Sequence, residues 1–420
     1  MAKHADVLVI GGGVVGLATA QALLDRGRSV TILERKCAGA GASWGNAGLV
    51  APRYLIPLAA PGVVTQGLWW LLDRESPFRI KPRLDADLLR WLWAFWSHCT
   101  EAHVAHASPI LRDLNLRGRA RYEEWASDEG FDDFSFRASG SVVVHRTADG
   151  RQKDLKTARR AEAAGLDVQV LDRAELDDVL ANSPSEAKGG VHYPQDALLN
   201  PVRLLSALQA RIEEMGGTLR PGTAVTGFEQ QNGHIRTVRT PRQEWTADEV
   251  ILAAGAWSAP LARQLGIRLP IQPAKGYSVT YPAPAHPPSR PYVLSETKVA
   301  VTPMDEHLRC AGTLELAGFD GSVDRRRAKP ILAEAARYVP HVTPDAPEQE
   351  EVWTGFRPCT PDGLPIIGRV PALDNLVVAT GHGMMGVSMA PITGQLVGAI
   401  VQEEPPSLDP SPLSPTRFGR

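Results

Sequence analysis

The chain has 420 residues, of which 43% are hydrophobic and 22% charged, with a formal net charge of -2. This composition predicts a globular protein with room for two domains. The scattered charge argues against a nucleic-acid-binding surface. Four separated cysteines without a CxxC pair predict neither a metal site nor a disulfide framework, and we expect a reducing compartment. No apolar run reaches the roughly 18 residues that a membrane-spanning helix needs, so we expect none.

The N-terminal residues predict a buried strand, a glycine-rich turn and a helix in immediate succession. The strand comprises residues 7–10, and the turn reads GGGVVG. Gly11 permits the tight turn, Gly13 lets a pyrophosphate approach the backbone, and Gly16 lets the helix lie close to the sheet. The pattern is typical of a dinucleotide-binding unit.

A second predicted strand, residues 30–33, ends in Glu34, about 20 residues beyond the turn. Glu34 would accept hydrogen bonds from ribose hydroxyls and repel a 2′-phosphate, which favours FAD or NAD over NADP. The loop that follows, residues 39–48, contains small residues together with Ser43 and Asn46. Small residues admit a large cofactor, and a nicotinamide domain would continue with plain strand and helix alternation, so the loop favours a flavin.

From residue 51 to about residue 196 the pattern changes to a Trp-rich, largely helical insertion. Six of the ten tryptophans lie between Trp44 and Trp96, and apolar residues 88–96 recur at helical spacing. We interpret this segment as a helix packed over the second domain. A hydrophobic lid, or a surface that touches membrane lipid or a quinone, is the functional alternative.

The middle of the chain alternates between the two predicted domains. Asn200 and Pro201 open a helix as its cap and first residue, and Asn232-Gly233 joins two strands in a hairpin. Residues 250–258 predict a buried strand and a small-residue turn that re-enter the cofactor domain. A β-rich, Pro-rich stretch, residues 269–350, would complete the second domain.

The C-terminal part returns to the pattern of the cofactor domain. A strand over residues 376–379 leads into a glycine-rich turn, and a helix is predicted from about residue 389 to residue 402. Residues 403–420 are rich in Pro and Ser, so we expect a disordered tail.

Seven sequence blocks occur in order along nearly the whole chain before the tail. They are GGGVVG, GASWGNAGLVAPRYLIPLAAPG, NPVRLLSAL, VILAAGAWS, PAKGYSV, GFRPCTPDGLPIIG and ATGHGMMG. Together they resemble the FAD-dependent D-amino acid oxidase superfamily, and within it most closely the bacterial D-amino acid dehydrogenases. The resemblance implies an α/β fold in which a doubly wound, Rossmann-like FAD-binding domain is interleaved with an α+β substrate domain built on a mixed sheet. The FAD-binding domain would comprise residues 1–50, 198–258 and 353–402, and the substrate domain residues 51–197 and 259–352.

The resemblance also implies which residues hold FAD. They lie in the glycine-rich turn, at the end of the second strand, in the following loop and in three later segments. The set is Gly11, Gly12, Gly13, Val14, Val15, Gly16, Glu34, Arg35, Ala42, Ser43, Asn46, Ala47, Gly48, Leu49, Val225, Ala254, Gly255, Trp257, Arg357, Gly381, His382, Gly383, Met384, Met385 and Gly386. The cysteine through which sarcosine-type oxidases attach FAD would align near Gly355, and Cys359 is displaced from that position, so we expect noncovalent binding.

Four residues are implied at the substrate. Arg357 matches the position at which amino acid oxidases clamp the substrate carboxylate, a task that suits a permanently charged guanidinium fork. Tyr54 and Tyr277 would either line the pocket through their hydroxyls or be half-buried tyrosines satisfied by backbone. His382 is expected near the flavin ring, without a role in proton abstraction. The tyrosine that glycine oxidases use for the carboxylate has no counterpart around residues 298–301, which argues against a glycine oxidase.

The resulting hypothesis is oxidative deamination of a D-amino acid. The Cα hydrogen would leave as hydride to flavin N5, and water would hydrolyse the imine to a 2-oxo acid and ammonia. No His, Asp or Glu in the shared blocks stands out as a base, so no acid or base residue is assigned and positioning carries the reaction. The electrons would pass to a quinone or another acceptor.

Several alternatives stay open. The protein is expected in the cytoplasm, with peripheral contact with the inner membrane or a homo-oligomer as further options. The activity could instead be that of an oxidase that uses oxygen, or of a relative acting on secondary amines such as D-proline, hydroxyproline or sarcosine. A flavin-binding subunit or an RNA-modifying protein would need a basic groove or extra domains, and the sequence offers neither.

Overall fold

The computed structural model describes residues 2–65, 67, 78–81, 83–180, 186–284, 286–338 and 351–419. The strands, numbered in chain order, are β1 (Lys3–Ile10), β2 (Val30–Leu33), β3 (Leu49–Val50), β4 (Phe78–Ile80), β5 (Ser141–His145), β6 (Gln169–Leu171), β7 (Gly189–Tyr193), β8 (Ala197–Leu198), β9 (Thr218–Arg220), β10 (Gly227–Gln231), β11 (His234–Arg239), β12 (Glu244–Leu252), β13 (Gln272–Pro282), β14 (Tyr292–Leu294), β15 (Ala300–Met304), β16 (His307–Leu316), β17 (Glu351–Cys359), β18 (Ile366–Arg369) and β19 (Leu376–Thr380). The helices are α1 (Val14–Leu24), α2 (Ala86–His98), α3 (Glu101–Ser127), α4 (Ala148–Ala163), α5 (Arg173–Leu180), α6 (Pro201–Glu214), α7 (Ser258–Gln264), α8 (Arg325–Tyr338) and α9 (Gly386–Val401).

The first sheet has a parallel centre in the order β9-β2-β1-β12-β19. The hairpin β10-β11 continues from β12, and β18 runs antiparallel to β19. Alternate residues of β1 enter different cores: Val7 and Val9 pack on one face, Leu8 and Ile10 on the other. A strand that is covered on both faces reads as a continuous apolar run. The predicted doubly wound α/β domain is confirmed.

The second sheet is mixed, as predicted. Its strands lie in the order β17-β13-β16-β15-β14-β5-β7-β6, with β4 beside β16. Most neighbours are antiparallel, whereas β14 pairs with β5 and β4 with β16 in parallel. Helices α5 and α8 help to cover this sheet through Leu176, Ile331 and Leu332.

Two of the predicted domain limits differ from the structure. Residues 353–359 were assigned to the FAD-binding domain, but β17 pairs along its whole length with β13 of the second sheet. Helix α3 was assigned to the substrate domain, but it packs on α9 beside the first sheet, where the Tyr122 hydroxyl donates to the Val387 carbonyl at 2.7 Å. The correct assignment of both elements depends on partners that are distant in sequence.

The predicted disorder of residues 403–420 is wrong for the described part of that segment. Residues 411–413 form a short 3-10 helix, and Leu413 is buried in the core beside the first sheet. Arg417 forms an ion pair with Asp362 at 2.7 Å. Composition suggested disorder, but apolar contacts of Leu408, Leu413 and Phe418 and the ion pairs of Glu404 and Arg417 dock the segment.

The structure confirms the predicted helix cap at Asn200 and the predicted hairpin turn at Asn232-Gly233. The Asn200 side chain accepts hydrogen bonds from the Val202 and Arg203 amides at the start of α6. Asn232 and Gly233 have φ values of 52° and 74°, as a two-residue hairpin turn requires.

Candidate active site

One large cavity lies between the two sheets. Its volume is about 1350 Å³, which exceeds the roughly 300–1,000 Å³ of ordinary small-ligand pockets. The carboxyl ends of β1, β2, β12 and β19 open into it. Ligands of open α/β sheets bind at this edge. The cavity is therefore placed and sized for a dinucleotide together with a small substrate.

The glycine-rich turn forms one end of the cavity. Gly11 has a φ of 112°, and a side chain at Gly16 would begin 1.9 Å from the Gly11 carbonyl oxygen. Helix α1 can therefore approach the turn only with glycine there. Its first turn contains no acidic residue, and the Val14 amide donates to the Ser43 hydroxyl at 3.0 Å. Such a helix N-terminus, directed at a cavity, suits a pyrophosphate.

Glu34 stands at the end of β2 in a fixed orientation. One carboxylate oxygen accepts from the Gly12 amide and the other from the Lys36 amide, both at 2.8 Å. Glu34 is also the only carboxylate among the described residues that line the cavity. No Asp or Glu among the described lining residues therefore lies at the opposite end of the cavity, next to the second sheet.

Most residues predicted to hold FAD line this cavity. The lining members are Gly11, Gly13, Val14, Val15, Glu34, Arg35, Ala42, Ser43, Asn46, Ala47, Leu49, Val225, Ala254, Gly255, Trp257, Arg357, His382, Gly383, Met384, Met385 and Gly386. The predicted residues outside the lining are Gly12, Gly16, Gly48 and Gly381.

Two of those glycines shape the walls instead. A side chain at Gly48 would begin 2.1 Å from the Leu199 carbonyl oxygen, and one at Gly381 would begin 2.7 Å from the Thr360 methyl group. Both glycines also have positive φ values, of 72° and 79°. Their contribution to the cavity is therefore close backbone packing behind it.

Arg357 enters the cavity from β17. Its Nη1 donates to the Thr313 carbonyl at 2.9 Å, and its guanidinium lies on Gly276, where a side chain would begin 1.9 Å from Nη1. Among the described residues no carboxylate forms an ion pair with it, and burial lowers the pKa of Arg357. A partly buried cation that has no counter-ion among the described residues is a suitable partner for a substrate carboxylate.

Thr313 is a site residue that the sequence reasoning missed. Its φ is 59°, a strained conformation for a β-branched residue. The strain turns its carbonyl toward Arg357, while its hydroxyl finds no partner among the described residues. No local pattern in the sequence signals such a position.

Arg309 was also missed. It projects from β16 and donates to the Trp44 and Asn46 carbonyls, both at 2.9 Å. The second sheet therefore holds the loop that was predicted to contact the flavin.

The two tyrosines differ in their environments. The Tyr277 side chain is 1% exposed, and its hydroxyl lacks a partner within the described chain. The Tyr54 hydroxyl accepts from Arg53 at 3.1 Å, and the same guanidinium lies 4.2 Å from the centre of its ring. Arg53 is in turn paired with buried Asp196 at 2.7 Å. The Tyr54 hydroxyl is thus satisfied by a side-chain network and not by backbone.

His382 lines the cavity but is already engaged. It is 5% exposed, its Nε2 lies 2.9 Å from the Thr393 hydroxyl, and burial lowers its pKa to about 3. The ring is therefore neutral near pH 7 and a weak base. This environment agrees with the expectation that His382 abstracts no proton.

Helix α2 forms an apolar wall at the mouth of the cavity. Trp91, Phe95 and Trp96 line the cavity, and the Trp91 indole donates to the Cys359 carbonyl at 2.9 Å. The opposite side of the helix is uncovered, with Leu89 64% and Trp93 68% exposed. The helix is thus packed on one side and free on the other. Trp69 and Trp70 of the same Trp-rich segment lie outside the described residues.

Comparisons with known proteins give consistent matches. The family described as FAD dependent oxidoreductase matches residues 6–400. The chain is 32% identical over 431 residues to a D-amino acid dehydrogenase of Vibrio atlanticus, covering 98% of this chain and 100% of that protein. It is 34% identical over 421 residues to a D-amino acid dehydrogenase of Methylobacterium nodulans, covering 98% and 99%.

Solved structures support the fold. Glycine oxidase from Geobacillus kaustophilus superimposes with a TM-score of 0.79 at 24% identity, covering 99% of both chains. L-proline dehydrogenase from P. horikoshii gives a TM-score of 0.72 at 19% identity, covering 100% of this chain and 98% of the other.

Among the helices of the described residues, none combines the length and the apolar character that a membrane-spanning segment requires.

Proposed function

The chain belongs to the family of FAD dependent oxidoreductases, and from that premise we propose that it oxidatively deaminates D-amino acids as a dehydrogenase. The observation that carries the proposal is Arg357, a partly buried cation without a carboxylate partner among the described residues, at the end of the cavity formed by the second sheet. The relatives named D-amino acid dehydrogenase, at 32% and 34% identity over nearly the whole chain, support the choice of substrate.

The residues at the first sheet fit FAD. The N-terminus of α1 would receive the pyrophosphate and Glu34 the ribose hydroxyls. Arg35 and Trp257, both predicted to hold FAD, lie against each other at 4.3 Å. Bound FAD supplies the acceptor for the hydride that leaves the substrate Cα. We propose noncovalent binding, because burial raises the pKa of the Cys359 thiol to about 11 and so keeps it in its unreactive form.

The chain's own residues act by positioning. Arg357 binds the substrate carboxylate through its planar fork. Tyr277 lines the same cavity, with its unpaired hydroxyl buried in the wall. The apolar walls disfavour a charged group, so they favour the neutral amine from which hydride leaves. The absence of an acidic side chain among the described residues at this end agrees with a mechanism that needs no protein base.

The electron acceptor is proposed to be a quinone or another membrane-associated acceptor. Leu89 and Trp93 of α2 are exposed, and the Trp93 ring lies 5.0 Å from the ring of Trp96, which lines the cavity. Such a face could rest on the inner membrane while the rest of the protein remains in the cytoplasm. Direct use of oxygen, or oxidation of secondary amines, is the competing activity.

Anaerobic reduction of the flavin tests the reaction. The purified holoenzyme is mixed with D- and L-amino acids, proline and sarcosine, and the visible flavin absorbance is followed. We expect bleaching by D-amino acids alone. Bleaching by secondary amines alone would move the activity to the competing class, and bleaching by none of them would overturn the proposed reaction.

The acceptor is tested separately. A dehydrogenase reoxidises slowly in air and rapidly with a quinone in lipid vesicles, whereas an oxidase releases peroxide in air. Trp93→Ser should lower vesicle binding and quinone turnover but leave turnover with a water-soluble dye unchanged. Val170→Ser is the matched control, since Val170 is exposed but lies on β6, away from the mouth. Equal effects of the two variants would contradict membrane docking through α2.

A further inference from the structure

Lys298 is a second cation in the cavity that contains Arg357. It lies in the turn between β14 and β15, where its amide donates to the Leu294 carbonyl at 2.9 Å. Its φ of 58° is unusual for a long side chain. The side chain is exposed, and it lines the cavity. A strained turn thus presents a cation to the same space as the proposed carboxylate clamp.

The register of β15 and β16 places the backbone of Lys298 beside Thr313, the residue that Arg357 contacts. In the antiparallel pair β15-β16, Ala300 lies opposite Ala311. Continued by two residues, this register places Lys298 beside Thr313, the residue whose carbonyl accepts from Arg357 at 2.9 Å. The continuation is supported at the intervening position, because a methyl group of Val299 lies 3.3 Å from the point where a side chain at Gly312 would begin.

The backbone positions that carry the two cations are therefore close. Neighbouring strands lie roughly 4.8 Å apart, so the Lys298 backbone lies beside Thr313, whose carbonyl accepts from the Arg357 guanidinium, and both side chains line the same cavity. The two carboxylates of an acidic amino acid are separated by a similar distance, since only one or two methylene groups stand between Cα and the second carboxylate. One such molecule could reach both cations.

Two carboxylates act on Lys298 and are held mainly by other groups, with Glu296 Oε2 the one oxygen that lacks a hydrogen-bond partner among the described residues. Asp154 accepts from the Ser295 hydroxyl at 2.6 Å and lies 3.1 Å from His145 Nδ1. One oxygen of Glu296 accepts three hydrogen bonds from the start of α4. Desolvation by the surrounding protein lowers the pKa of Lys298 even though its side chain is exposed to the cavity, and Asp154 and Glu296 act against that shift. Within the described chain, Lys298 makes no ion pair of its own.

Two further cations face Lys298. Arg53 is paired with Asp196, and Lys153 is paired with exposed Asp149. Both disfavour the charged form of Lys298. An additional anion from outside the protein would therefore be bound favourably at this position.

We propose that Lys298 binds a carboxylate on the substrate side chain, so that this enzyme prefers acidic D-amino acids such as D-aspartate and D-glutamate. This inference rests on the proposed function, because it takes Arg357 as the partner of the α-carboxylate. A lysine acts here as a point charge that tolerates both side-chain lengths. The same charge repels basic D-amino acids from the pocket.

The test compares isosteric substrates in the holoenzyme. D-Glutamate and D-glutamine have nearly the same shape and differ in charge, as do D-aspartate and D-asparagine. We expect kcat/KM to favour the acidic member by about 10- to 100-fold, the range of a hydrogen bond to a charged group. Lys298→Met should remove this preference while D-glutamine turnover changes by less than about threefold. Lys298→Arg should retain most of it.

Two measurements keep the test independent of turnover and of folding. Calorimetric binding of glutarate and valerate to the oxidised holoenzyme should show the same preference for the dicarboxylate, and Lys298→Met should abolish it. Lys153→Met is the matched control, because it removes a cation that faces Lys298 from outside the cavity. It should leave the preference intact.

The outcomes separate the two proposals. If neutral D-amino acids reduce the flavin but acidic ones are no better, and Lys298→Met changes neither, the side-chain site is overturned while the proposed function stands. An equal loss of the preference for acidic substrates in Lys153→Met would show that general electrostatics causes that preference, and it would also overturn the side-chain site. If no D-amino acid reduces the flavin, the proposed function fails instead.

Discussion

The two ends of the cavity are built in different ways. At the first sheet, the backbone of one contiguous segment makes the glycine-rich end of the site: Gly11 and Gly16 lie on the same turn and helix. At the second sheet, isolated side chains from strands far apart in sequence meet, as Arg357 of β17 does with Thr313 of β16. The contrast suggests a division in which the first end holds the cofactor and the second selects the substrate.

The largest expected effect is that of Arg357→Leu. Losing the partner of a buried carboxylate should raise KM for D-amino acids by about 1,000-fold, equivalent to about 4 kcal/mol. The flavin content should stay unchanged if the two ends are separate. Steady-state kinetics and the ratio of flavin to protein check both statements. Loss of flavin together with substrate affinity would break the division.

Gly16→Ala acts on the other end. The added methyl group would lie 1.9 Å from a backbone oxygen, so α1 must move away from the turn, at a cost of about 3 kcal/mol. We expect protein with little flavin. Gly227→Ala is the control, because its methyl group would meet its nearest neighbour at 3.7 Å. Urea unfolding of the control should lie within about 0.5 kcal/mol of the wild type.

Arg417→Ala tests a residue that belongs to neither end. It breaks the ion pair with Asp362 and the hydrogen bonds to the Leu364 and Leu413 carbonyls. The free energy of unfolding should fall by about 2 to 3 kcal/mol, with KM unchanged in the remaining folded enzyme. A change in KM as large as that of Arg357→Leu would show that the docked segment influences the substrate site.

The smallest expected effect concerns His382 and pH. Its pKa falls from 6.5 to about 3 in the folded protein, so below about pH 6.5 the unfolded chain binds a proton that the folded chain does not. Stability from this group is present above that pH and is lost progressively as the pH falls toward 3. Between about pH 7.5 and about pH 5 the loss should be about 2 kcal/mol.

The variant His382→Gln should reduce this pH dependence by the same amount. Urea unfolding at the two pH values measures it, and exposed His106→Gln is the control. An unchanged slope in His382→Gln would mean that the ring is not the group that titrates.

The contrast between the two ends also explains how far sequence reasoning reached. The glycine turn, the Asn200 cap and the hairpin at Gly233 depend on neighbours a few residues away, so their patterns indicate them directly. Much of the predicted FAD-binding set also lines the cavity, but its later segments were assigned through the resemblance. Arg357 was placed there through a resemblance, not through a local rule.

The missed features depend on distant partners. Thr313 becomes a site residue only because Arg357 of β17 reaches it across β13. Arg309 becomes one only because β16 faces the loop of residues 39–48. Assigning α3 to its core required knowledge of α9. The docking of residues 411–413 likewise depends on a core built from distant segments, in which Leu413 is buried. Sheet register, which brings such residues together, is set by tertiary packing.

The strand order of the first sheet has a consequence for synthesis. The glycine turn leaves the ribosome early, but its neighbours β12 and β19 and the loop before α9 follow only after most of the chain has been made. Chains grow at roughly 5–20 residues per second, so the N-terminal unit waits for many seconds with an incomplete sheet. Cofactor capture should therefore be a late event in biogenesis, and nascent chains should depend on chaperones until then.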